Sequence, residues 1–319
     1  MERTRVRCPY VNHGTGASPE RAKKFIIHPT TDIPPTFVPM RAAQPPTTDL
    51  IRIRPTRGWR SLDLAGLWEY RDLLYFLTLR DVKAKYAQSI LGVGWAIINP
   101  LVQTLIFTVI FGNLANLGSD GVPYRLFNFT AMVAWTYFSG ILTGATGSLI
   151  ANRSMLSKIY FPRLILPITS AIGMLIDFGI SFLVLIGLLI YYGLTPGWSV
   201  LVLPLLLLIL LLASLGIGTF LAALAVQFRD VQYAMSLLIR VLIYSAPVVY
   251  SIELIPEKWR MVYALNPLVG VIEGMRSIFL HTRPLPWDYI LAGGGVALLL
   301  FLAGSLYFRR TERLFADVA

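Results

Sequence analysis

Cysteine and histidine are almost missing from this sequence. Its 319 residues include one cysteine, Cys8, and three histidines, His13, His28 and His281. A disulfide framework, a thiolate metal centre and a histidine cage are therefore not what organises the chain, and no metal is expected on it. Charge is scarce too: 14% of residues are charged against 55% hydrophobic, far from the mix of a soluble globular domain. The phosphate-cradling pattern Gly-x-x-x-x-Gly-Lys-Ser/Thr does not occur, since Gly14-Thr15-Gly16 is followed by no lysine in the required place. Neither a Gly-x-Ser-x-Gly elbow nor a His-Glu-x-x-His pair is present, and Asp177 and Glu273 stand too far from other acids to form a catalytic cluster. A membrane-embedded enzyme acting on a polyprenyl-linked sugar is thus the weaker class. Transport is the stronger, with its energy drawn from a gradient or from a partner chain. Gradient-driven carriers normally carry an internal repeat of spans, and none is found.

What the sequence does have is apolar length. Runs fall at about 91–114, 126–150, 164–192, 199–226, 233–250 and 288–308, and a helix needs roughly 20 mostly apolar residues to cross hydrocarbon. The expectation is an all-α integral membrane protein with six transmembrane helices over 91–319. Short cytoplasmic loops carry the excess of Lys and Arg. Arg80, Lys83, Lys85, Arg153, Lys158, Arg163, Arg229, Arg309, Arg310 and Arg313 gather on one side, while the two short loops opposite offer only Arg125. Both termini are therefore expected in the cytoplasm.

The formal net charge of +11 is not a nucleic-acid signal. Residues 1–60 alone contribute about +7, and they contain nine prolines. They are expected to form a disordered, basic, Pro-rich cytoplasmic tail near anionic lipid headgroups. Over 61–90 the recurrence of Leu64, Leu67, Trp68, Leu74 and Leu77 predicts an amphipathic interface helix. Between spans five and six, at about 251–287, two short apolar stretches meet at the breaker Asn266-Pro267. They are too short to cross, which predicts a re-entrant helical hairpin beside a pathway or gate.

Polar groups inside spans are costly and so mark candidates. Asp177 and Arg240 are the two charges near mid-span, and mutual pairing, direct or through polar neighbours, is the plainer reading. The sharper one puts Arg240 on a translocation pathway, since Tyr233, Arg240 and Tyr244 share one helix face. Trp95, Asn99, Gln103 and Phe107, spaced by four, form a similar aromatic and amide stripe on span one. It points either at partner helices or at a conduit. Gly140, Gly144, Gly147 and Ser148 on span two suit close helix packing.

Four stretches then narrow the choice of energy source: LTLRDVKAKYAQSILGVGWAIINP (77–100), LSKIYFPRLILP (156–167), VQFRDV (226–231) and the terminal YFRRTERLFADVA. With APVVYSIELIPEKWRMVYALNPLVGVIEGMR (246–276), they resemble the permease family of ABC exporters for bacterial cell-surface polysaccharides: O-antigen, capsule and teichoic acid. The resemblance spans about 62–319 and leaves out the tail. It implies that two permeases pair with two ATP-binding subunits, which hold ATP and Mg, and that the conduit runs between the permeases along spans one and five. It also implies that Asn152 to Arg163 is the coupling segment, with Lys158, Tyr160, Phe161, Pro162 and Arg163 at the ATPase contact and Arg229 and Asp230 at a second one. The implied cargo is a lipid-linked polysaccharide; an exporter of drugs or lipids would share the architecture. Arg240 departs from the family pattern, where an uncharged polar residue is expected.

Overall fold

The computed structural model describes residues 68–87, 89–156, 158 and 161–312. The tail at 1–60, the start of the interface helix, Tyr160 and residues 313–319 lie outside the described residues. Among the described residues all regular structure is helical: α1 Arg71–Tyr86, α2 Gly94–Phe107, α3 Tyr124–Ala151, the four-residue α4 Arg153–Leu156, α5 Ile165–Tyr191, α6 Leu203–Gln227, α7 Asp230–Ser245, α8 Glu257–Tyr263, α9 Pro267–Leu280 and α10 Trp287–Thr311.

Among the described residues four stretches are long and apolar enough to cross a membrane: Gly94–Leu114, Ile165–Tyr191, Trp198–Gln227 and Trp287–Thr311. The chain is a multi-pass membrane protein. The other two expected spans differ from these for separate reasons. α3 has the length, 28 residues or about 42 Å, but carries Asn128, Thr130, Thr136, Ser139, Thr143, Thr146 and Ser148. α7, expected over 233–250, has only 16 helical residues, about 24 Å. It stops at Ser245, and the apolar run continues as non-helical backbone through Pro247.

α3 is the axis of the bundle. Its residues from Leu126 to Trp135 are all buried, with α5, α6 and α9 packed around it. Its hydroxyls fold back onto their own helix: Thr130 donates to Leu126 O at 2.9 Å, Ser139 to Trp135 O at 2.8 Å and Thr146 to Leu142 O at 2.7 Å. Satisfied in this way, they cost little to bury.

Helix α2 contains Pro100, which removes the N–H that would bond the carbonyl four residues back. Ser181 of α5 supplies the missing donor, reaching Ala96 O at 3.2 Å. The end of α2 then widens into a π-helical stretch, Thr108–Leu114, where Ala115 N bonds Ile110 O at 2.9 Å. Gly112 lies there against the Tyr124 ring, where a Cβ would sit 2.9 Å from ring carbon.

The backbones of α6 and α10 approach closely. A Cβ on Gly304 would fall 2.0 Å from Gly216 O, and one on Gly216 would fall 2.5 Å from Phe301 N. On α3 the expected small-residue stripe divides: Gly140 and Gly144 abut Met174 and Ser170 of α5, whereas Gly147 has open space.

A second, smaller core closes one end of the bundle, here called basal. Leu77, Leu149, Phe161, Leu164, Ile165, Ala222, Ala223 and Phe308 meet there, with Tyr70, Leu73 and Leu74 against them. So α1 does present one apolar stripe inward at i, i+3, i+4 and i+7. A second stripe on the other side, Trp68, Tyr75, Phe76 and Leu79, stays exposed. The helix is therefore apolar on two sides rather than simply amphipathic.

Candidate functional site

The residues singled out from the sequence separate into a basal group and a lateral group. In the basal group Asn152 caps α3. Its Nδ2 donates to Ser148 O at 2.9 Å, and its Oδ1 accepts from Arg80 Nη2 at 2.7 Å, which ties α1 to the end of α3. Lys158 is exposed. Phe161 is buried at 3% exposure in the basal core, and Pro162 and Arg163 are half-buried. The Arg163 guanidinium donates to the Glu312 carbonyl, which ties this segment to the end of α10. Arg229 and Asp230 are exposed at the start of α7. The basal face thus offers Lys158, Arg229 and Asp230 outward on a frame held by Phe161, Asn152 and Arg163.

The lateral group lies on α2 and α7, both of which pack against α3. α2 buries Pro100 and Thr104, and the following turn buries Thr108. Trp95, Asn99 and Gln103 are exposed one position away, while Phe107 is half-buried and edge-on to Phe111 at 5.8 Å. On α7, Tyr233 is 79% exposed and Tyr244 54%, with Arg240 exposed on the same face. Only Met235 of this helix is buried. Two amides and an arginine exposed on apolar helices face neither core nor, at tolerable cost, lipid.

Asp177 does not pair with Arg240. Its carboxylate, 14% exposed, takes Lys85 Nζ on one oxygen and the Tyr86 hydroxyl on the other, at the end of α1. Burial, with the hydrogen bond to Asp177, pushes the Tyr86 hydroxyl well above the usual phenol range. The reason for the difference is geometric: Lys85 and Tyr86 precede the first span in sequence, yet α1 runs along α5 as far as Asp177, with Val82 touching Gly173 on the way.

Sequence reasoning missed a third cluster, at the opposite end. Arg276, fully buried, pairs with Glu273 at 2.9 Å and lies 3.5 Å over the Phe127 ring. Glu273 is not isolated. The signal was present in the sequence: two opposite charges at i and i+3 inside the apolar run 267–280. Near it Arg283 joins Asp120 at 3.2 Å and Glu253 at 2.6 Å, linking three loops.

A family model described as ABC-2 type transporter matches residues 72–280. The chain belongs to this family. Among ABC-2 relatives, the O-antigen export system permease protein RfbA of Myxococcus xanthus is 30% identical over 253 residues, covering 79% of this chain and 96% of the relative. A protein of the same title from Klebsiella pneumoniae is 29% identical over 248 residues, covering 77% and 95%. The polysialic acid transport protein KpsM of Escherichia coli is 26% identical over 251 residues, covering 74% and 92%. The ABC-2 match begins at Asp72 in α1 and ends at Leu280, the last residue of α9. It therefore takes in the basal segment, both lateral helices and the buried Glu273–Arg276 pair.

Proposed function

We propose that this chain is the non-catalytic permease subunit of an ATP-driven exporter that moves a lipid-linked polysaccharide across a bacterial cytoplasmic membrane. The observation that carries the reading is the exposed amide and aromatic face of α2, where Trp95, Asn99 and Gln103 stand clear of the bundle on an apolar helix. Rings stack on sugar faces and amides meet hydroxyls, so such a face suits a glycan better than an apolar drug or lipid. The relatives' names, O-antigen export and polysialic acid transport, support the same choice.

On this reading α2, α3, α5, α6, α7 with its buried continuation, and α10 are six spans. Both termini and the basal end face the cytoplasm, α1 lies at the membrane interface, and α8 and α9 form the re-entrant hairpin. A second copy of the chain closes the conduit against α2 and α7. Two ATP-binding subunits, carrying ATP and Mg, dock on the segment Asn152 to Arg163 and on Arg229 and Asp230. Closure of the ATPase pair would move α3, α5 and α7 as rigid levers.

The test is to purify the tagged chain from membranes and to complement a strain lacking it. The expected result is an ATP-binding subunit travelling with it, ATP hydrolysis in the complex, and restored surface glycan. Absence of both the companion protein and ATP hydrolysis would sink the proposal. Hydrolysis stimulated by apolar drugs but not by lipid-linked glycan would transfer the assignment to drug or lipid export.

A further inference from the structure

α7 ends at Ser245, and no further helical turn forms until Ile252–Leu254. The intervening strap is buried: Ala246 and Val248 at 0%, Val249 at 2%, Ser251 at 4%. Non-helical backbone in such a place must find partners for its polar groups within the protein. Five carbonyls between Ser245 and Tyr250 find them. Ser245 O accepts from Asn266 Nδ2 at 3.1 Å, and Ala246 O from Val248 N at 2.7 Å. Val248 O accepts twice, from Asn128 Nδ2 and Arg276 Nη2, both at 3.1 Å. Val249 O accepts from the Tyr124 hydroxyl at 2.6 Å, and Tyr250 O from Arg276 Nη1 at 3.3 Å. The Tyr250 hydroxyl turns back to donate to Tyr244 O at 2.9 Å and meets the Tyr263 hydroxyl at 2.8 Å.

Side chains of α3 and α9 thus replace a helical ladder, and Arg276 holds two of the strap's carbonyls. One planar guanidinium does this while pairing with Glu273 and lying on Phe127, a combination an ammonium cannot reproduce. By contrast α7 buries only Met235 fully, with Leu238, Ile239, Leu242 and Ile243 partly covered by the core. Its direction therefore depends on how its ends are held.

We propose that Arg276 is a positioning residue for transport: through the strap it anchors the end of α7 remote from Arg229 and so aims the face of Tyr233, Arg240 and Tyr244. Arg276 touches no cargo. The proposal rests on reading α7 as a conduit helix, and its function lies in holding one end of that helix while the basal end is moved.

The experiment uses the whole permease–ATPase complex in nanodiscs, with Cys8→Ser to remove this chain's one native thiol and the permease labelled before the ATPase is added. A nitroxide is attached at Leu237→Cys on exposed α7 or, as control, at Leu299→Cys on exposed α10. Arg276→Gln and Arg276→Lys are expected to raise nitroxide mobility at 237 and leave 299 unchanged, with ATP hydrolysis within about twofold and export down roughly tenfold or more. Unchanged mobility at 237, or an equal rise at both positions, overturns the proposal. Where neither Arg276 variant assembles, Asn128→Ala decides, because it removes one of the two donors on Val248 O. A smaller rise confined to 237 is expected, and no change overturns the anchor. Because the spectra need no cargo, a change at 237 in a complex that exports no glycan under any condition counts against the conduit reading alone.

Discussion

Adding one methyl group at Gly304 gives the sharpest test of how this bundle is packed. The Cβ of Gly304→Ala would lie 2.0 Å from the backbone oxygen of Gly216 and 3.0 Å from Thr219 Oγ1. Neither a rotamer change nor a flexible neighbour relieves a clash with backbone. Real Cβ contacts essentially never fall below 3.0 Å, so α6 and α10 must separate or slide by at least about 1 Å along their shared face. A gap of that size forfeits a quarter to a half of each dispersion contact, and overpacking of this kind costs ~2–3 kcal/mol. In thermal unfolding of the purified chain, followed by loss of the monodisperse peak, this corresponds to a fall of roughly 5–10 °C. Gly295 is the internal control. It lies on the same helix with nothing within 4 Å of its Cβ position, so Gly295→Ala should be neutral or stabilise by up to ~1 kcal/mol through helix propensity. Equal melting of Gly304→Ala and the parent would refute the close approach of α6 and α10, and with it the packing described for both helices.

Three further outcomes follow from the geometry. Lys158→Glu, at an exposed position, should leave the melting point of the permease unchanged while lowering ATP-coupled export, whereas Phe161→Ala should cost ~3–5 kcal/mol by opening the basal core; identical effects of the two on melting would contradict the division between contact and frame. Asp177→Leu strands the half-exposed Lys85 and the Tyr86 hydroxyl, so limited proteolysis should cut sooner near Ala87, with a modest stability loss of about 1 kcal/mol; unaltered cleavage would mean that α1 is held elsewhere. Ser181→Ala removes the donor that serves Ala96 O beneath Pro100 and should cost ~1–2 kcal/mol in the same melting assay, a loss that Pro100→Ala in the same chain should reverse by restoring the helical donor.

The positions of the helices were legible because apolar length is a one-dimensional property. The runs at 164–192 and 199–226 match α5 and the stretch Trp198–Gln227 to within a residue or so. The run at 233–250 extends past the end of the helix, since hydropathy does not register where a helix stops and a buried strap begins. The partner of Asp177 was illegible for a different reason. It lies 92 residues away in sequence, on a helix assigned to the membrane surface, so a search confined to mid-span charges offered only Arg240. Arg276 does not stand out when its segment is read by length alone, as too short to cross; its pairing with Glu273 is the informative feature. The stripe of Trp95, Asn99 and Gln103 was legible from spacing alone, without its exposure. Which side of α2 would be covered was not, because coverage depends on α3 and α5.

The central helix α3 bears on how the protein is made as well as on how it stands. Three flanking stretches are apolar enough by length and composition to cross a membrane, and α3 is not among them. Its hydroxyls bond within their own helix, but its weaker apolar content leaves it more dependent on the helices that surround it. On the six-span reading it reaches the insertion machinery second, before α5 and α6 exist to receive it. Its stay in the bilayer should therefore be deferred until those later helices emerge. A chain truncated after Ala151 should fail to retain this segment in the membrane, while one extended through Gln227 should keep it.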